Sequence, residues 1–205
     1  MKRDEKNAQT RQRIIDAAME EFSQKGFEGA SLNVVCAKNG LSKGIIYHYF
    51  QDKDELYLLC VGLCFDELAE GLREAAEGLR GTVEERLQAY FGARNRLFAE
   101  NPQLLGLFAG ASFDPPAHLA AEIAARRTPF DGQTIAVMTQ LLACEPMREG
   151  FAAEEVAQDL RLYMDSFNLC FRADFRSGRP LEALLAEHEA RCRRLIDILL
   201  HGVLR

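Results

Sequence analysis

Ser31-Leu-Asn-Val-Val-Cys-Ala-Lys-Asn-Gly40-Leu-Ser-Lys-Gly-Ile-Ile-Tyr-His-Tyr-Phe50 is the stretch on which the reading of this chain turns. Ser31 is an N-cap candidate for a short helix through Lys38, and Asn39-Gly40 breaks it. Ser42 caps a second short helix through Phe50. Two short helices joined by a glycine-containing turn form a helix-turn-helix. Placed at about 100° per residue, Ile46 and Phe50 fall on one side of the second helix and should be buried. Gly44, Ile45, Tyr47 and His48 fall on the opposite arc. That arc would face solvent in an ordinary protein, yet it carries an isoleucine and a tyrosine. An exposed apolar and aromatic strip on so short a helix needs a partner. The major groove of DNA supplies one, because base edges and thymine methyls are within reach of such side chains.

Outward from this motif the chain reads as helix almost throughout, dominated by Leu, Ala, Glu and Arg. Residues 8–25 carry Ile14, Ile15, Ala18, Met19 and Phe22 at helical spacing, and Gly26 ends that helix. Asp52 with Glu55 makes a capping box for a long helix to about Leu79, and Thr82 with Glu85 makes another for a helix to about Glu100. Asn101-Pro102 and Asp114-Pro115-Pro116 interrupt the chain, the second leading into a long segment that ends near Cys144. Whether Thr128-Pro129 kinks or splits that segment is open at this level. An amphipathic helix over 153–176, a turn at Ser177-Gly178-Arg179-Pro180 and a last helix over 181–201 complete an all-α chain of about nine helices without strands. The expected domains are 1–52, which reads DNA, and 53–205, which senses a ligand and dimerises.

The same residues resemble the TetR family of bacterial regulators. Its pattern is met by Ser31, Val35-Cys36, Asn39-Gly40-Leu41-Ser42, Lys43-Gly44-Ile45-Ile46-Tyr47-His48-Tyr49-Phe50 and Lys53-Asp54-Glu55-Leu56. The likeness is specific over residues 10–60 and architectural beyond. It implies that Ser31, Tyr47, Tyr49 and Lys53 hold phosphates, and that Ser42, Lys43, Gly44, Ile45 and His48 face the groove. Asn39 stands where the family commonly has Ala, and Asn suits turn geometry. Ile45 replaces a small or hydroxylated residue, which shifts the expected base preference toward a thymine methyl.

Charge agrees with this only through its distribution. The 205 residues carry a net charge of −6, but residues 1–60 hold nine basic and nine acidic side chains, and the excess acid lies beyond them. Within 1–13, Lys2, Arg3, Lys6, Arg11 and Arg13 outnumber Asp4 and Glu5. A neutral head on an acidic body suits specific DNA binding and discourages non-specific adhesion. The N-terminus lacks the apolar segment of a secretory signal, and no run of apolar residues is long enough to span a membrane, so a soluble cytoplasmic protein is expected.

The stripes over 153–176 and 181–201 are the expected homodimer surfaces, since two half-sites require two heads. The resemblance implies that this pair forms a four-helix bundle with its mate. Candidate lining for a ligand pocket comprises Tyr90, Phe91, Arg94, Phe98, Phe108, Phe113, Met138, Tyr163 and Phe167, which suits an unidentified small apolar or aromatic ligand. Arg94, Asn95, His118 and Asn168 are candidates to orient it. Such a ligand is expected to release a repressor from its palindromic operator. One alternative uses Cys60 and Cys64, four apart on a helix face, as a thiol-redox sensor. Another is a DNA-binding protein without a small ligand. The cysteines form no CxxC pair, and neither HExxH, GxSxG nor a P-loop occurs, so no metal, cofactor or enzymatic activity is expected.

Overall fold

The computed structural model describes residues 3–38, 40–144, 146–175 and 178–203; the side chains of 3, 4, 43, 165, 167–175, 181, 185, 202 and 203 lie outside that description. Among the described residues there are nine α-helices and no strands. They are α1 (Arg3–Gly29), α2 (Leu32–Lys38), α3 (Lys43–Tyr49), α4 (Lys53–Ala76), α5 (Val83–Glu100), α6 (Pro102–Phe113), α7 (Ala120–Leu142), α8 (Ala153–Phe175) and α9 (Leu181–Val203). A single 3₁₀ turn, Ala117–Leu119, precedes α7.

The chain divides into two compact units. One comprises residues 1–67 and 97–127, the other 68–96 and 128–205. In the first, α2 and α6 pack on α1, and α3 packs on α2. Its core takes Ile14, Ile15 and Phe22 from α1, Ile46 from α3, and Leu56 and Tyr57 from α4. Tyr57 meets the edges of both Phe22 and Phe27 at 5.0 Å. Phe108 of α6 is ringed by Phe98, Phe65 and Phe113 at 5.4, 6.2 and 6.2 Å between centroids. The approach of α6 to α1 depends on Gly106. A Cβ there would lie 2.9 Å from Ser23 Cα and C, and closer still to the Ser23 carbonyl oxygen.

In the second unit α8 packs on α9. Arg161 of α8 pairs with Asp131 of α7 at 2.6 Å, and Gln133 donates to the carbonyl of Ala69. Buried Leu87, Tyr90, Met138, Leu142, Leu160 and Ile196 fill its interior.

Local chemistry explains the boundaries and the departures from expectation. Helix α1 starts at Arg3 rather than residue 8, because its polar first turns are helical without an apolar stripe to announce them. Gly26 does break it, with φ 65°, but one more turn follows, and that turn carries Phe27 onto Tyr57. The α2–α3 turn closes as a Schellman motif: Gly40 (φ 62°) donates to Ala37 O and Leu41 donates to Cys36 O. At α4, Asp52 accepts the Glu55 N–H at 2.8 Å, while Glu55 reaches past Asp52 to the Gln51 N–H. That helix stops at Ala76, short of Leu79, and Gly78 follows at φ 78°. Thr82 and Glu85 form the reciprocal capping box of α5, at 3.2 and 2.9 Å. Pro129 lies inside an unsplit α7. The carbonyl it deprives of a donor belongs to Ala125, an exposed residue. No helix among the described residues is long and apolar enough to cross a membrane.

Candidate nucleic-acid interface

Helix α3 has one face in the core and one in solvent. Ile46 and Phe50 are buried at 1 % and 3 % exposure, and they lock the helix against its own unit. Gly44, Tyr47 and His48 are exposed, with Tyr47 at 51 %, and Ile45 is half-buried. The side chain of Lys43 lies outside the described residues. Ser42 occupies the N-cap in an extended conformation (φ −73°, ψ 148°), is exposed, and makes no side-chain cap bond. Its hydroxyl is therefore not spent on capping α3, while the Ile45 N–H donates to the Ser42 carbonyl at 2.9 Å.

Around this face the flanking helices supply positioning contacts. The Tyr49 hydroxyl lies 3.1 Å from Asn7 Oδ1, tying α3 to the start of α1, and its ring abuts His48 at 5.2 Å. The Arg11 guanidinium stands 5.2 Å over the Phe50 ring. Lys53, at the start of α4, places its ammonium 4.5 Å over the Phe27 ring and 3.5 Å from the Glu28 carbonyl. Ser31 is half-buried, and its N–H donates to Glu21 Oε1 at 3.3 Å.

Glu21 was not singled out by the sequence reading. Its carboxylate, 4 % exposed, anchors the entry to α2, and Lys38 of α2 answers it at 4.0 Å and Glu20 at 2.8 Å. The signal was present: Glu21 falls on the helical arc of Ala17, Ala18 and Phe22, where a carboxylate requires a partner. Asn7 and Gly106 were likewise missed, since their partners lie on other helices.

The expected pocket residues separate. Phe91 and Arg94 line a cavity of about 360 Å³ between α5 and α9, together with Cys192 and Ile196. Tyr90 and Met138 are buried in the same unit, where the Tyr90 phenol hydrogen-bonds Thr134. Phe98, Phe108 and Phe113 belong to the ring cluster of the other unit. Tyr163 is half-exposed on α8, and the side chains of Phe167 and Asn168 lie outside the described residues. His118 bonds Asp54 at 3.2 Å and edges onto Phe27.

Cys60 and Cys64 are both buried free thiols, and the Cys64 thiol donates to Leu104 O at 3.4 Å. Burial pushes each thiol up to about 12, which keeps the reactive thiolate scarce and disfavours the redox alternative. Among the described residues no group of three or more His, Cys, Asp or Glu is placed to hold a metal ion.

A buried-backed recognition helix, a Schellman turn and a cationic start to the next helix define a helix-turn-helix DNA-binding regulator. Residues 14–60 match the bacterial regulatory proteins, tetR family. The HTH-type transcriptional regulator BetI of Escherichia coli O157:H7 is 27 % identical over 183 residues, covering 86 % of this chain and 87 % of that protein. Among solved structures, a transcriptional regulator from Rhodococcus sp. Rha1 superposes with a TM-score of 0.68 at 23 % identity, over 94 % of this chain and 97 % of that one. The Bacillus subtilis transcriptional regulator FadR, solved in complex with stearoyl-CoA, superposes with a TM-score of 0.66 at 17 % identity, over 93 % and 98 %. Residues 14–60 thus carry the DNA-binding segment of the tetR-family bacterial regulatory proteins, and the chain is similar to BetI over most of its length.

Proposed function

We propose that this regulator is a homodimeric, cytoplasmic, non-enzymatic repressor that reads a palindromic operator and leaves it when a small apolar or aromatic ligand binds. Residues 1–52 read DNA, and residues 53–205 sense the ligand and dimerise. The observation that carries the reading is the outward face of α3, where Ile45, Tyr47 and His48 stand opposite buried Ile46 and Phe50. Ser42, Lys43, Gly44, Ile45 and His48 address base edges in the major groove, while Ser31, Tyr47, Tyr49 and Lys53 hold phosphates. Dimerisation through α8 and α9 is supported by Leu162 and Ile198, which are 61 % and 67 % exposed on those helices.

Release is a population shift. A ligand that binds better to a state in which two recognition helices no longer fit successive grooves draws the protein into that state. The test is selection of bound fragments from the source genome at physiological salt, followed by footprinting. A palindrome with half-sites about one DNA turn apart is expected. Absence of any enriched site would overturn sequence-specific reading.

A further inference from the structure

The cavity between α5 and α9 holds a cation, Arg94, that makes no ion pair among the described residues. Arg94 lies half-buried in its wall, with its guanidinium 5.7 Å from the Phe91 ring centroid. Its Nε is buried and has no hydrogen-bond partner. Among the described residues no carboxylate pairs with it. The titratable groups beside it do not supply the charge. Burial pushes the Cys192 thiol up to about 11, holds His188 near 3, and raises the Tyr90 phenol, so at neutral pH all three are uncharged. Cys192 Sγ lies 3.5 Å from His188 Nδ1 and also hydrogen-bonds the Arg94 guanidinium, a neutral contact that supplies no counter-charge. The two carboxylates on the cavity wall are engaged elsewhere: Glu189 with Arg193 at 2.8 Å, and Glu85 with the Thr82 N–H at 2.9 Å. A partly desolvated guanidinium without an anion is costly, and a chain that retains one gains when an anion arrives.

We propose that this cavity binds a small apolar molecule bearing one carboxylate, which pairs with Arg94 while Phe91, Cys192 and Ile196 enclose the apolar body. The proposal deepens the ligand-responsive reading and rests on it. A volume of about 360 Å³ lies at the lower end of the range for small-molecule sites. The planar guanidinium fork matches a carboxylate with two parallel hydrogen bonds. One uncompensated cation with Glu85 and Glu189 close by favours a monoanion and disfavours a phosphate dianion.

The experiment is calorimetric titration of the full chain, free of DNA, with octanoate, 1-octanol, octanamide and octyl phosphate. Octanoate is expected to bind about tenfold or more tightly than the other three. Arg94→Met should abolish that preference while the ligand-free variant melts at or above the wild-type temperature, since it removes an unpaired charge. Should R94M not fold, Ala89→Phe, which fills the cavity and leaves Arg94 in place, should lose octanoate binding. Equal affinity for acid and alcohol, unchanged octanoate binding in R94M or A89F, or no octanoate binding by the folded wild type would overturn the proposal. Octanoate that binds in the cavity yet leaves operator affinity unchanged would uphold this site and overturn ligand-driven release, which keeps the two readings separable.

Discussion

Ile45 and Lys53 are close in sequence but should fail in different ways. On the proposed division of roles Lys53→Ala removes a phosphate-holding cation, so affinity should fall on every DNA tested. The slope of log affinity against log salt should drop by about one phosphate contact. On the same proposal Ile45→Ala removes an apolar contact to base edges and should lose about 1 kcal/mol at particular positions while sparing others. Gel-shift titrations of both variants over operators with single base changes separate the two; identical profiles would refute the division of roles.

His188 makes a second residue-level case. It is 6 % exposed, and burial holds its pKa at about 3 against an ordinary 6.5. Between those values the unfolded chain binds a proton that the folded chain refuses. Its contribution to stability is therefore full above pH 6.5 and is lost as pH falls through that interval. His188→Gln should reduce the loss of unfolding free energy between pH 7 and pH 5 by about 2 kcal/mol, measured by urea titration at both pH values.

At the scale of elements, the decisive contact in the first unit is backbone to backbone. Gly106 lets α6 rest directly on Ser23 of α1, with only 2.9 Å from a notional Cβ to the nearest main-chain carbons. No rotamer change relieves that overlap, so Gly106→Ala must push the helices apart. A loss of about 1–3 kcal/mol in unfolding free energy is expected, in the usual range for overpacking. Gly132, which has open space at its Cβ, provides the control: Gly132→Ala should be neutral or stabilising. Several element boundaries were readable in advance because caps and turns are local. The Thr82–Glu85 box and the Gly40 turn follow from side chains within four residues of the helix ends. The extra turn after Gly26 was not readable, because it is held by Phe27 packing on Tyr57 across the core.

For the whole molecule, the proposed function requires a dimer that places two heads on one operator. Leu162 on α8 and Ile198 on α9 are large apolar side chains more than half exposed in the single chain. Ile198→Glu should convert a dimer of twice 23.0 kDa into a monomer in sedimentation velocity, and should weaken operator binding by at least about tenfold. A variant that remains dimeric would place the interface elsewhere. The charge distribution bears on the same scale: a neutral first 60 residues and an acidic remainder suit the proposed specific binding, in which bulk attraction contributes little.

The sequence by itself determined the all-helical class, most helix ends, and the two faces of α3. Each of these is encoded in a period of 3.6 residues or in a cap within one turn, and needs no knowledge of distant neighbours. It could also name Phe91 and Arg94 as pocket candidates, but not separate them from Phe98, Phe108 and Phe113, which share the same aromatic signature. Only the tertiary structure decided that Arg94 lies by Cys192 and His188 of the last helix with no carboxylate paired to it among the described residues, that Glu21 anchors α2, and that Gly106 meets Ser23. Those pairings join residues far apart in the chain, and periodicity along one helix carries no information about which other helix will cover it.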